Sequence, residues 1–244
     1  MILAIDIGNT TTGFGVFERG RLQIAWSIPT RPGRPPALAK THARHLRAAS
    51  QIIICSVVPR MTAALVKRLR AVTTSPVLVV GRDVQVPLVN RYRYPKQVGQ
   101  DRLVGAYAAW QTYKRSCIVA DFGTAITIDV VTKQGEYLGG VIAPGLEISL
   151  EALATRTALL PRIVLKEPPE LLGRDTANSI RAGLIYGCAA LCDGLVTQLK
   201  AKYAPGATVV ATGGAGPIIV KHARTIAHLR PHLVLEGLAS LVKY

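Results

Sequence analysis

Ile2-Leu3-Ala4-Ile5-Asp6-Ile7-Gly8-Asn9-Thr10 opens the chain, and its pattern returns midway as Cys117-Ile118-Val119-Ala120-Asp121-Phe122-Gly123-Thr124. Each stretch is a short apolar run that ends in Asp, an apolar residue and Gly, with Thr close behind. Runs this short and this apolar, closed by turn residues, predict buried strands. The echo continues downstream. After the first stretch come an apolar segment (Phe14 to Phe17), a turn at Arg19-Gly20 and a third run from Leu22 to Ile28. After the second come Ala125 to Val131, with alternation around Asp129, a turn at Lys133-Gln134-Gly135, and Tyr137 to Ile142. Two antiparallel three-stranded meanders are therefore predicted, each with Asp-x-Gly in its first turn.

Working outward, the rest of each half alternates helix and strand. Leu38 to Ala49 and Met61 to Val72 have helical spacing and are separated by Ile52 to Val58, a buried-strand run that stops at Pro59. Val77 to Val80 is another strand, closed by Gly81. In the second half Leu146 to Leu160 and Ala177 to Tyr203 read as helices, followed by strand Thr208 to Ala211. Leu103, Val104, Tyr107 and Trp110 recur at helical spacing in Asp101 to Arg115, a helix leading between the halves. The expected domains are 1–115 and 116–244, with the terminal helix Leu233 to Val242 able to pack on either. Arg31-Pro32-Gly33-Arg34-Pro35-Pro36 reads as a surface loop. Alternating strands and helices predict an α/β class.

Composition bounds the function. The 244 residues are 49% hydrophobic and 18% charged, which excludes disorder and supplies ample core. Thirty basic against 14 acidic residues leave a net charge of +16, which favours anionic partners: nucleotides, acidic metabolites, nucleic acid or a membrane surface. The basic residues are scattered, with no helix-turn-helix, zinc or aromatic-basic pattern, so nucleic acid is not the expected partner. No targeting segment is read, and Pro and Gly break the longest uncharged run, Tyr203 to Val220, so no membrane span is expected. Cys55, Cys117, Cys188 and Cys192 form no Cys-x2-Cys pair and read as buried free thiols, with a reduced cytosol as the setting. The five histidines share no ligand spacing.

Neither Gly-x4-Gly-Lys-Ser/Thr nor Gly-x-Gly-x2-Gly occurs after a strand. Asp6 to Gly13 offers another way to hold a polyphosphate. Gly8 permits a close turn, backbone N–H groups and the hydroxyls of Thr10, Thr11 and Thr12 can donate to oxygens, and Asp6 can hold Mg²⁺. A plain Thr-rich hairpin is the alternative; the second copy at Asp121 favours a metal–nucleotide site. The acids are few, so Asp6 and Asp121 at the ends of apolar strands call for a cation or donors. Thr212-Gly213-Gly214-Ala215-Gly216 leaves bare backbone at a strand's carboxyl end, where α/β folds receive ligands, with a flexible strand-to-helix loop as the alternative. Gly99-Gln100-Asp101-Arg102 stands at a helix start. There Asp101 either caps the helix or serves as a base, with Arg102 binding an anionic substrate. Arg91-Tyr92-Arg93-Tyr94-Pro95 reads as a substrate wall or an exposed loop.

Asp6-Ile7-Gly8-Asn9-Thr10, Gly99-Gln100-Asp101-Arg102, Asp121-Phe122-Gly123-Thr124 and Gly139-Gly140-x3-Pro144-Gly145, in this order, resemble the type III pantothenate kinases of the acetate and sugar kinase, heat-shock cognate and actin superfamily. The resemblance implies two ribonuclease-H-like domains, each a mixed sheet with flanking helices, around a central nucleotide cleft. It implies a cytoplasmic homodimer that phosphorylates pantothenate with ATP, Mg²⁺ and a monovalent cation, K⁺ or NH₄⁺. Carried over by motif, Asp6, Ile7, Gly8, Asn9, Thr10, Thr11, Thr12 and Gly13 resemble the ATP phosphate loop, and Thr124 an ATP contact. Asp101 resembles the proton acceptor. Tyr92, Gly99, Gln100, Asp101, Arg102 and Thr176 resemble pantothenate contacts, and Asp121 the monovalent-cation ligand. A nucleotide-sensing regulator that binds nucleic acid, or a different small-molecule kinase, are the competing readings.

Overall fold

The computed structural model describes residues 1–31 and 40–242. Pro32 to Pro36 of the expected loop, and Leu38 and Ala39 of the first expected helix, lie outside the described residues. Two compact units divide the chain: Met1–Thr112 with His232–Tyr244, and Tyr113–Pro231.

The first unit contains β1 (Ile2–Ile7), β2 (Thr11–Glu18), β3 (Arg21–Pro29), α1 (Lys40–Ala48), β4 (Gln51–Ser56), α2 (Pro59–Arg70), β5 (Val77–Val79), the two-residue β6 (Val89–Asn90) and α3 (Gln100–Tyr113). Its five-stranded sheet has the order β3-β2-β1-β4-β5. β1, β2 and β3 are antiparallel, and β4 and β5 continue parallel to β1. β4 ends at Ser56, earlier than the apolar run suggests. Ser56 Oγ accepts the Val58 N–H at 3.0 Å, and Pro59 starts α2 without needing a donor of its own.

In the second unit are β7 (Cys117–Phe122), β8 (Ala125–Val131), β9 (Glu136–Pro144), α4 (Leu146–Arg156), α5 (Thr176–Lys202), β10 (Thr208–Thr212), α6 (Gly216–Ile219) and β11 (His228–Leu229). Its strands run β9-β8-β7-β10-β11, antiparallel through β9, β8 and β7 and then parallel. With β7 in place of β1, this is the topology of the first unit, so the sequence echo is a structural duplication. α4 stops at Arg156 and not at Leu160. Thr157 takes an extended conformation and its hydroxyl caps Leu153 O at 2.7 Å, while Pro161 disfavours helix at the residue before it.

α7 (Leu233–Ser240), left open by the sequence, belongs to the first unit. One face of the first sheet carries Leu3, Ile5, Ile7, Ile52 and Ile54 and packs on Met61, Leu65 and Leu69 of α2. The other face carries Ile2, Ala4 and Cys55 and is covered by Val104 of α3 and by Val234, Leu235 and Leu238 of α7. Each such aliphatic side chain contributes roughly 1.5–3 kcal/mol by leaving water. α7 comes close to α3 at Gly237, where a Cβ would lie 2.7 Å from both Val104 Cγ1 and Val104 O. In the second unit Ile118, Ala120, Phe122, Ile126 and Ile128 pack on Ile185, Cys188, Cys192 and Val196 of α5. α5 has 27 residues and contains an 18-residue window of mean hydropathy 1.3, so it is long and apolar enough to cross a membrane by length and composition. Here that apolar row serves the core of the second unit.

Candidate active site

β1 and β7 have the same burial pattern: every residue is buried except the fifth, which is Asp6 in one and Asp121 in the other. Both aspartates lie near a strand's carboxyl end on the sheet face opposite the main helix layer.

In the first unit, Asp6 pairs with Cys55 on β4 and with Gly13 on β2. Beyond it the chain turns at Gly8, whose N–H donates to Thr11 O at 2.9 Å. That N–H is spent inside the turn and is not a donor to a ligand. Asn9, Thr10 and Thr11 are exposed at the tip, while the Ile7 side chain is fully buried. Thr12 departs from its expected place on the loop. Strand alternation sends it inside, 0% exposed, with its hydroxyl 2.9 Å from that of Thr30. Two of the three threonine hydroxyls of the loop are thus at the surface.

Asp101 is in the first turn of α3, where the helix dipole favours a carboxylate, and its Oδ1 accepts the Arg102 N–H at 2.8 Å. Asp101 and Arg102 are half-buried. A Cβ on Gly99 would collide with Asp101 Oδ1, so the carboxylate would have to move aside, and would lie 3.6 Å from Val57 Cγ1. Gly81, at φ +83°, leaves the space in which the Gln100 amide rests, with a Cβ only 2.9 Å from Gln100 Cδ. The fully buried Cys55 ties the two carboxylates to one neighbourhood. Burial first, and then the negative charges of Asp6 and Asp101, push its thiol well above the ordinary range. Tyr92 is half-buried in the same unit, with its N–H on Asn90 Oδ1 at 3.0 Å.

In the second unit, Asp121 is set among glycines. A Cβ on Gly123 would stand 3.2 Å from its Oδ1, and one on Gly213, at φ +87°, would collide with it. Gly213 is held by its own turn, in which Gly216 N–H donates to Gly213 O at 3.0 Å and Ala215 N–H to Phe122 O at 3.0 Å. Gly145 donates to Thr124 O at 3.2 Å and has no space for a Cβ against Thr124 C at 2.8 Å. The Thr124 side chain is exposed on this tight loop. Thr176 is the exposed first residue of α5, behind Asp175, whose carboxylate caps the Asn178 N–H at 2.8 Å.

Asp6 and Asp101 therefore share a neighbourhood with Gly13, Gly99, Gln100 and Arg102 in one unit. Asp121, Thr124 and Thr176 are in the other. Sequence reasoning did not single out Cys55, Gly81 or the buried Asp129, which accepts from Tyr137 OH at 2.7 Å. Gly81 was read only as the close of the Val77 to Val80 strand, and its part in seating Gln100 has no local signal.

A family model described as type III pantothenate kinase matches residues 2–198. The chain belongs to the type III pantothenate kinase family. A family member from Rubrobacter xylanophilus is 42% identical over 255 residues, covering 99% of this chain and 97% of its own. One from Syntrophus aciditrophicus is 40% identical over 251 residues, with 100% and 99% covered. Solved structures agree on the fold at low identity. A protein of the Baf transcriptional-activator family from Campylobacter jejuni has a TM-score of 0.59 at 18% identity over 98% of this chain and 96% of its own. The inorganic polyphosphate/ATP-glucomannokinase of Arthrobacter sp. strain KM has a TM-score of 0.50 at 16% identity, with 98% and 96% covered. These agree with a fold of two ribonuclease-H-like α/β units, and the type III pantothenate kinase family is one of phosphotransferases.

Proposed function

We infer that the protein transfers the γ-phosphoryl group of ATP to the terminal hydroxyl of pantothenate, giving 4'-phosphopantothenate in the first step of coenzyme A biosynthesis. The observation that carries this reading is the placement of Asp101. Gly99 leaves room for its carboxylate at the start of α3, and Asp6 and Asp101 are both near enough to Cys55 for their charges to act on its thiol, in a chain of this family.

The chemistry follows from the residues. Asp101 accepts a hydrogen bond from the substrate hydroxyl and points its lone pair along the line of attack on the γ-phosphorus. As the new O–P bond forms and the bond to the β-phosphate's bridging oxygen breaks, the hydroxyl proton passes to Asp101 and ADP leaves. A carboxylate stabilised in a helix's first turn is a weak base, so much of its effect is orientation. The Arg102 guanidinium suits the pantothenate carboxylate as a two-pronged donor. Backbone N–H groups of the Asn9–Thr11 tip and the Thr10 and Thr11 hydroxyls suit phosphate oxygens, and Gly13 keeps a side chain off the strand beside Asp6. Thr124 is read as a further ATP contact, and Tyr92 and Thr176 as substrate contacts.

Asp6 fits Mg²⁺ in the way this ion is usually held in kinases, by one or two carboxylates with phosphates and water. Among the described residues no group of three His, Cys, Asp or Glu could hold an ion without nucleotide. Bound there, Mg²⁺ neutralises phosphate charge. Asp121 fits a monovalent cation, since the cradle that Gly123 and Gly213 leave open is one a Cβ would fill. K⁺ or NH₄⁺ there supplies positive charge. The four free, buried cysteines support a reduced cytoplasmic setting. The homodimer rests on the family resemblance, and Ile142, Ile148, Leu159, Val164, Leu171 and Leu172 are exposed residues of the second unit that could serve it.

The test is mass-spectrometric product analysis with ATP, Mg²⁺ and K⁺ against pantothenate and a panel of sugars and hydroxy acids. Mono-phosphorylated pantothenate with matching ADP is expected. Transfer to another acceptor in preference to pantothenate would refute the assignment.

A further inference from the structure

The duplication puts two aspartates at the same point of two sheets and then gives them different neighbours. Directly paired residues on adjacent strands share a face, with Cβ atoms roughly 4.5–5.5 Å apart. Asp6 is flanked by Gly13 and Cys55, so one side is bare and the other carries a thiol. Asp121 is flanked by Thr127 on β8 and Thr212 on β10, so both sides carry a hydroxyl. Hard cations select oxygen donors, and the second arrangement supplies them.

One of those hydroxyls is also oriented. Thr127 Oγ1 donates to Asp129 Oδ2 at 3.1 Å, while Tyr137 OH donates to Asp129 Oδ1 at 2.7 Å. Asp129 is 1% exposed, and Tyr137 is fully buried. Room for the carboxylate is made by its partner on β9, Gly140, where a Cβ would be 2.5 Å from Asp129 Oδ1. A hydroxyl has one proton. With that proton given to Asp129, Thr127 Oγ1 has only lone pairs to present on the face it shares with the Asp121 carboxylate. Lone pairs beside a carboxylate make an all-oxygen acceptor set of the kind hard cations select.

We propose that Thr127 is a second protein oxygen for the monovalent cation at Asp121, and that Asp129, held by Tyr137, is the positioning residue that turns the Thr127 hydroxyl. The inference rests on the assignment of the cation to Asp121.

Two readouts test it: the K⁺ concentration for half-maximal activity, and direct calorimetric titration of Tl⁺ into the nucleotide-free protein. Thr127→Val should weaken both by about 10-fold or more, with a smaller fall in kcat at saturating K⁺, and Thr127→Ser should restore both to within about 3-fold. Tyr137→Phe should shift both in the same direction as Thr127→Val, by less. If Thr127→Val does not fold, Thr127→Ala carries the same expectation. Wild-type ion affinity in the Thr127 variant, with affinity lost in Asp121→Asn, would overturn the role of Thr127 and leave the cation at Asp121. Wild-type affinity in Asp121→Asn would remove the cation from this site, and the proposal with it.

Discussion

Gly99→Ala is the smallest change that should separate positioning from binding. The added methyl would collide with Asp101 Oδ1 and come within 3.5 Å of Asp101 Cγ, with Val57 Cγ1 at 3.6 Å on the other side. Carbon and oxygen need roughly 3.3–3.6 Å, so the carboxylate has to swing by on the order of 1 Å. That swing gives up the 2.8 Å bond from the Arg102 N–H to Oδ1. A displacement of this size at a reacting group costs about 100-fold in rate. The Asp6–Gly13 loop is on other strands and should keep its affinity for nucleotide. A coupled ADP-release assay should therefore show kcat reduced about 100-fold, while equilibrium binding of an ATP analogue changes by less than about 3-fold. Turnover within a few-fold of wild type would refute the idea that the space left at Gly99 is needed for the working position of the Asp101 carboxylate.

Gly237→Val pushes a branched side chain into Val104, 2.7 Å from where its Cβ would start, and should cost about 1–3 kcal/mol in urea unfolding with some loss of kcat through α3. Burial pushes the Cys117 and Cys188 thiols to about 11 and that of Cys192 to about 12, and raises Cys55 as well. Native protein at pH 8 should therefore react negligibly with a disulfide reagent, whereas denatured protein should release four thiols. Burial alone would raise the Asp193 carboxyl, but the Arg224 and Thr225 N–H groups and the Thr225 hydroxyl hold it below the usual range. Its contribution is then present above the unfolded value near 3.9 and lost as pH falls through the lower folded value. Asp193→Asn should destabilise by about 1 kcal/mol at pH 7, and the difference from wild type should shrink as pH falls below the unfolded value.

The duplication was legible because each copy is local: an apolar run, an Asp-x-Gly turn and two more runs, all within one meander. Parallel strands β4 and β10 were legible as buried runs, and their helices as periodic ones. The rest depends on contacts between distant segments. Thr12 belongs to the same Thr-rich tip as Thr10 and Thr11 in sequence, yet the register of β2 buries it against Thr30. The return of α7 buries Val234, Leu235 and Leu238 on the first sheet and brings Gly237 close to Val104, a fit that no local pattern announces. Asp129 reads as one more polar position in an alternating strand, and only the approach of Tyr137 from β9 makes it a buried, oriented carboxylate. Cys55 looks like any core thiol until the charges of both Asp6 and Asp101 are found to reach it.

Asp101→Asn tests the account most directly, because the amide keeps the size of the side chain and removes its capacity to take a proton. Turnover with ATP and pantothenate should fall by at least about 100-fold while nucleotide affinity stays at the wild-type level. An asparagine enzyme that turns over at the wild-type rate would show that no carboxylate at the start of α3 is needed for the transfer.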